Sequence, residues 1–249
     1  MMRKMLPLAL AATAAFAQAL LPAGEAVMER FVEVTGGRAA YEARKSEAVT
    51  GRVEFVGQGV TGTVTAYSAP DLTYLSMDIE GVGKIEQGMV NGVAWERSAM
   101  MGARVKEGEE LEQTRRDSQF NAPIRWKELY ASAETKGVET VEGEECYKVV
   151  LTPKGSGKPE TLYFSKASGF MVKRVQVAVS PLGEIPAEQI LSDYKDFGGV
   201  KQPGKMVQKA AGQQIAIYTE SVVANAEIPA DKRALPPEIE KLLAKQKKQ

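Results

Sequence analysis

The 249-residue chain carries 32 basic and 32 acidic side chains, one cysteine and no histidine. Balanced charge leaves no footprint for nucleic acid or for an anionic membrane surface. The lack of histidine removes Ser-His and Cys-His nucleophiles, histidine bases, c-type haem attachment and most zinc sites, and a lone cysteine rules out an internal disulfide.

Residues 1–19 read as a secretory signal peptide: Arg3 and Lys4 start it, residues 6–17 are apolar, and Ala17-Gln18-Ala19 gives the small-x-small cleavage pattern. The apolar run is shorter than the ~20 residues a membrane-spanning helix needs, so cleavage after Ala19 is expected rather than an uncleaved anchor. No lipobox cysteine follows it. The expected product is a soluble periplasmic chain with no transmembrane segment.

Residues 23–41 are patterned as a helix, with Val27, Phe31 and Val34 on one stripe and Gly36-Gly37 as a stop. From Ser46 the period changes to two, predicting strands over 48–56, 59–68, 72–80, 84–90 and 93–98. Asn91-Gly92 is the strongest hairpin signal, since both residues tolerate the positive φ of a type I′ turn. Val49, Val53 and Phe55 share one face of the first strand, and Leu75, Met77 and Ile79 one face of the third.

Between Met100 and Lys136 the alternation breaks. A charged helix is expected over 109–117, and Asn121 and Pro123 open a second carrying Trp126, Leu129 and Tyr130 on one stripe. Strands resume over 138–141, 145–152, 160–165, 170–179, 184–194, 200–209 and 213–224, closed by an extended segment at 229–237 and a short basic helix at 238–247. Many short sequential hairpins argue a sandwich or barrel built as a meander. Residues 20–237 are read as one domain and 238–249 as a basic helical tail.

Gly57-Gln58-Gly59-Val60-Thr61-Gly62 has the spelling of a dinucleotide loop, but strand follows strand here, and the chemistry needs a helix N-terminus at the pyrophosphate. The glycines are read as turn or bulge positions. Gly155-Ser156-Gly157-Lys158 lacks P-loop spacing. Carboxylate runs at 107–112 and 142–145 read as solvated surface, and Cys146 as a core thiol. No catalytic residue, metal site or cofactor is expected. Met77, Met89, Met100, Met101, Met171, Trp95, Trp126, Phe55 and Phe164 supply soft or bulky apolar surface, suited either to an ordinary core or to a cavity for a flexible apolar guest.

Several patterns, in order, resemble the LolA/LolB-like family of outer-membrane lipoprotein-sorting carriers: Gly62-Thr63-Val64 with Pro70-Asp71-Leu72, Met89-Val90-Asn91-Gly92 with Trp95, residues 149–154, and Tyr194-Lys195-Asp196-Phe197-Gly198-Gly199-Val200. The resemblance implies an α+β fold: a curved, incomplete antiparallel β-barrel of about 11–12 strands, with the N-terminal helix and the helical insertion as a lid over its concave face. It also implies a carrier or sensor that holds lipid or lipoprotein acyl chains without chemistry. Lid residues Val27, Phe31, Ile124, Trp126 and Leu129 would then face Val53, Phe55, Leu75, Met77, Met89, Trp95 and Phe164. Ala69 stands before Pro70 where the known carrier has the arginine that latches barrel to lid, so that latch is not carried over. The alternatives are an envelope-protein interaction module with a filled core, and an enzyme with two convergent carboxylates in a groove.

Overall fold

The computed structural model describes residues 21–181 and 183–246; the expected leader, residues 1–19, lies outside them. Two helices come first, α1 (Gly24–Val34) and α2 (Arg38–Ala43), split at Gly36-Gly37. A six-strand meander follows: β1 (Glu47–Phe55), β2 (Val60–Ala69), β3 (Leu72–Ile79), β4 (Gly83–Val90), β5 (Val93–Ser98) and β6 (Gly102–Val105). After α3 (Gly108–Asp117) and α4 (Ala122–Leu129) comes a second meander. Its strands are β7 (Tyr130–Val141), β8 (Glu144–Pro153), β9 (Glu160–Ser165), β10 (Met171–Ser180), β11 (Gly183–Phe197), β12 (Val200–Ala210) and β13 (Gln213–Ala224). A 3-10 turn (Ala230–Lys232) and α5 (Pro237–Gln246) end the described chain.

All strands join one 13-stranded antiparallel sheet in the order β6-β5-β4-β3-β2-β1-β13-β12-β11-β10-β9-β8-β7. Each meander pairs only its sequence neighbours, and the β1–β13 ladder welds the two. The free edges are therefore β6 and β7, which α3 and α4 connect. Strand β6 was not expected: four residues are too few for alternation to show. Strand β7 starts at Tyr130, so that residue opens a strand instead of extending the α4 stripe.

The sheet is strongly curled. Strands β6 and β10 lie nine places apart, about 43 Å in a flat sheet. Yet α3, about 15 Å long, reaches both: Glu110 pairs with Arg104 on β6, and Gln113 bonds to β10. The face toward α3 is the concave one.

Partner residues across a ladder share a face, so the ladders trace that concave face across the molecule. Leu162, Arg174, Gln189, Gln208, Ile215, Phe55 and Val60 are successive partners from β9 round to β2. Helix α1 lies over the β7–β9 end of it, so closely that a Cβ on Gly24 would stand 2.4 Å from the Ala133 carbonyl oxygen. The convex face has a core of its own. Ile228, Leu235, Ile239, Leu242 and Leu243 of the C-terminal segment cover Leu72, Val90, Tyr74 and Trp95. The segment read as a basic tail is thus packed along the sheet.

Candidate functional site

The concave face carries two apolar regions with a polar band between them. The first is the lid core, where Val27, Met28 and Phe31 of α1 and Trp126 of α4 bury Val149, Leu151, Leu162 and Phe164. Phe31 and Phe164 meet at 5.4 Å between ring centroids. Trp126 Nε1 donates to Glu29 at 3.3 Å, and Lys127 pairs with Glu25, tying α4 to α1. The cavity left here, bordered by Leu129 and Met171, is about 140 Å³, below the ~300–1,000 Å³ of usual ligand pockets.

The second region is open. Val53, Val64 and Ile79 are buried, but Phe55, Val60, Leu75, Met77, Ile85, Ile215 and Ile217 around them keep part of their surface accessible. These residues come from β1, β2, β3, β4 and β13, which the ladders set side by side. The long apolar patch is lined by β-branched, leucine, methionine and phenylalanine side chains.

Beneath α3 lie adjoining hollows of about 310 and 340 Å³: Phe31, Phe120, Met171 and Leu191 wall the first, Leu75, Gln87 and Lys106 the second, and Ser68, Thr73 and Asp117 both. Helix α3 crosses the polar band with no fully buried side chain and is anchored by polar ties. Arg104 donates to Glu110 through both terminal nitrogens, at 2.7 and 2.5 Å, and to Glu96 at 2.7 Å. The Glu110 hydrogen bond and then Glu96 hold the guanidinium well above its ordinary value against the opposing effect of burial. Gln113 donates to the Val177 carbonyl and accepts from the Val179 N–H, both at 2.8 Å, standing in for a strand partner where β9 is too short to pair β10. At the end of α3, Asp117 accepts from Arg174 at 2.6 Å, while Arg174 also binds Glu160. Burial opposes the Arg174 charge, but Glu160 and Asp117 outweigh it and raise the pKa. Tyr130 donates to the same Glu160; burial and then that carboxylate push its hydroxyl above the usual phenol range.

The expected site residues therefore divide. Val27, Phe31, Trp126, Leu129 and Phe164 meet in the lid core. Val53, Phe55, Leu75 and Met77 meet in the open patch, and Met89 shares their face through its partner Thr73. Ile124 packs with Val32, Tyr41 and Val200 instead. Trp95 requires a correction. Its partners Gly88, Tyr74 and Tyr67 form a row on the convex face, so it faces α5 and not the lid. Sequence reasoning missed Ile215 and Ile217, whose alternation on the last strand carried the signal, and the α3 anchors, which were read as solvated charge.

Among the described residues no cluster of three or more His, Cys, Asp or Glu could hold a metal ion, and no helix is long and apolar enough to cross a membrane. Cys146 is buried on the convex face, and burial pushes its thiol up to about 11, leaving it protonated at neutral pH. Where carboxylates converge, at Glu96 with Glu110 and at Glu160 with Asp117, an arginine sits between them and takes up their charge.

Solved structures resemble this arrangement along most of the chain. A LolA superfamily protein from Nitrosomonas europaea superposes with a TM-score of 0.54 at 10% identity, over 86% of this chain and 99% of that one. The chain has the LolA-type fold. A DUF1329 family protein from Desulfovibrio piger ATCC 29098 gives a TM-score of 0.52 at 13% identity, over 86% of this chain and 98% of its own. No protein-family model and no curated protein matches the sequence. At such identities the LolA-type likeness is one of backbone, and residue roles rest on this chain's own geometry.

Proposed function

We propose that the protein is a non-catalytic periplasmic carrier or sensor that holds an acyl chain of a lipid or lipoprotein against the open part of its concave face. The observation that carries this reading is the patch formed by Phe55, Val60, Leu75, Met77, Ile85, Ile215 and Ile217, apolar and only partly covered, inside a curled sheet. Each CH₂ taken out of water contributes about 0.8 kcal/mol, so a trough of this kind stabilises a chain that water rejects. The small cavity in the lid core, about 140 Å³, supports placing the chain against the uncovered half. The LolA-type fold of the neighbour from Nitrosomonas europaea supports the same reading.

Native mass spectrometry of protein purified from its own cell envelope tests it. The expected spectrum contains a lipid adduct that is lost in a Met77→Asp variant of unchanged fold. A spectrum with no adduct, together with no binding of a fluorescent fatty acid, contradicts it. The dense packing of Phe31, Trp126 and Phe164 favours a second reading, an envelope-protein interaction module without a ligand. That reading predicts a stable protein partner and no adduct.

A further inference from the structure

Four of the seven large apolar side chains that stand exposed among the described residues lie at one end of the molecule: Val56 (39%), Val82 (40%), Met100 (81%) and Met101 (66%). The topology explains why they gather. In this antiparallel order the β1–β2, β3–β4, β5–β6, β8–β9, β10–β11 and β12–β13 turns all project from the same rim of the half-barrel. The charged residues in those six turns are Glu80 and, in the β8–β9 turn, Lys154 and Lys158. Between the β3–β4 and β5–β6 turns lies an apolar groove of about 260 Å³, floored by Ile85 and walled by Met100 and Met101.

This rim is continuous with the open patch. Phe55 and Val60 flank the β1–β2 turn, Ile79 precedes the β3–β4 turn, Ile85 belongs to both groove and patch, and Ile215 follows the β12–β13 turn. The concavity thus opens toward the rim that carries these exposed apolar side chains. Methionine in water is a costly choice for a solvent-facing turn, and its flexible thioether adapts to an irregular, fluid surface.

We propose that this rim docks on a lipid bilayer, with Met100 and Met101 entering the acyl region and the groove leading a chain into or out of the concave face. The proposal deepens the acyl-carrier reading and rests on it. A ring of separated apolar turns around a trough mouth fits a deformable lipid surface better than a flat protein face. Exposed Lys84 lines the groove, and exposed Lys154 and Lys158 stand in the β8–β9 turn of the same rim, where anionic headgroups would meet them. With no charge in the β5–β6 turn itself, the share of the attachment that Met100 and Met101 supply should persist at high salt.

Flotation with vesicles of mixed phosphatidylethanolamine and phosphatidylglycerol tests docking directly, comparing the native protein with the double variant Met100→Asp, Met101→Asp. The variant should lose roughly tenfold or more in vesicle association, since water-to-lipid transfer of even one such side chain corresponds to a factor of that order. Transfer of a fluorescent fatty acid between vesicles should slow in parallel, while equilibrium binding of the soluble probe and the melting temperature stay unchanged. A milder Met100→Ser, Met101→Ser variant should show an intermediate loss. Equal flotation of native protein and variant, or no flotation of the native protein, overturns the proposal. So does a change in self-association on sedimentation with flotation unaltered, which assigns the rim to a second copy. Failure of the native protein to bind the soluble probe counts against the acyl-carrier reading, while flotation still judges the rim.

Discussion

Glu86 shows how much single residues decide. Its carboxylate on β4 accepts from Tyr74 at 2.5 Å and from Arg97 at 2.6 Å, and Arg97 passes on to Glu238 of α5 at 3.0 Å. Burial pushes the Glu86 carboxyl up, but Arg97 and Tyr74 outweigh it and hold the pKa below its ordinary 4.5. A depressed carboxylate stabilises the fold above its unfolded-state value, and that stability is lost as pH falls through the folded value. Unfolding measured against pH should therefore show the native protein losing stability below about 4.5, with a shallower loss in Glu86→Gln. Nearby, a Cβ on Gly88 would stand 2.5 Å from the Thr73 carbonyl oxygen and 3.2 Å from the Trp95 indole. Gly88→Ala should cost about 1–3 kcal/mol in denaturant titration, because backbone cannot yield as a flexible side chain does. Trp95 itself was the least legible residue. Its strand alternates correctly, with Val93, Trp95 and Arg97 on one face, but alternation does not say which face is concave. The presence of a second core was the missing fact.

At the scale of elements, that second core was written in the tail: Leu235, Ile239 and Leu242 recur at helical spacing, yet nothing local names the sheet face they cover. Ile239 is fully buried, so Ile239→Ala should cost about 2–5 kcal/mol and loosen α5 from Tyr74 and Trp95, seen as faster amide exchange in both. The strands were read well wherever Gly or Asn-Gly punctuation bounded a period of two, as at Asn91-Gly92, and poorly at β6. Helix α3 was legible as a helix but not as a bridge, since its charges find partners far away in sequence. Held by Glu110, Gln113 and Asp117 and by no fully buried side chain, it should be the most easily lifted cover of the concave face. Gln113→Ala removes the amide that satisfies Val177 and Val179; hydrogen exchange in α3 and at Val179 should rise while the global melting temperature moves little.

For the whole molecule, two meanders were visible in the sequence and their joining was not. The pairing of β1 with β13 links residues more than a hundred apart, and no turn residue announces it. That ladder nonetheless makes the open patch, because it sets Val53 and Phe55 beside Ile217 and Ile215. The candidate residues divide for the same reason: their faces were readable, but their gathering into a closed lid core and an open patch needed the curl. The most direct test of the acyl-carrier reading is titration of a fluorescent fatty acid into the native protein and into Met77→Asp, Ile217→Asp. Saturable binding by the native protein, lost in a variant that keeps its circular dichroism, is the predicted result; no binding, or binding that survives both substitutions, would contradict it.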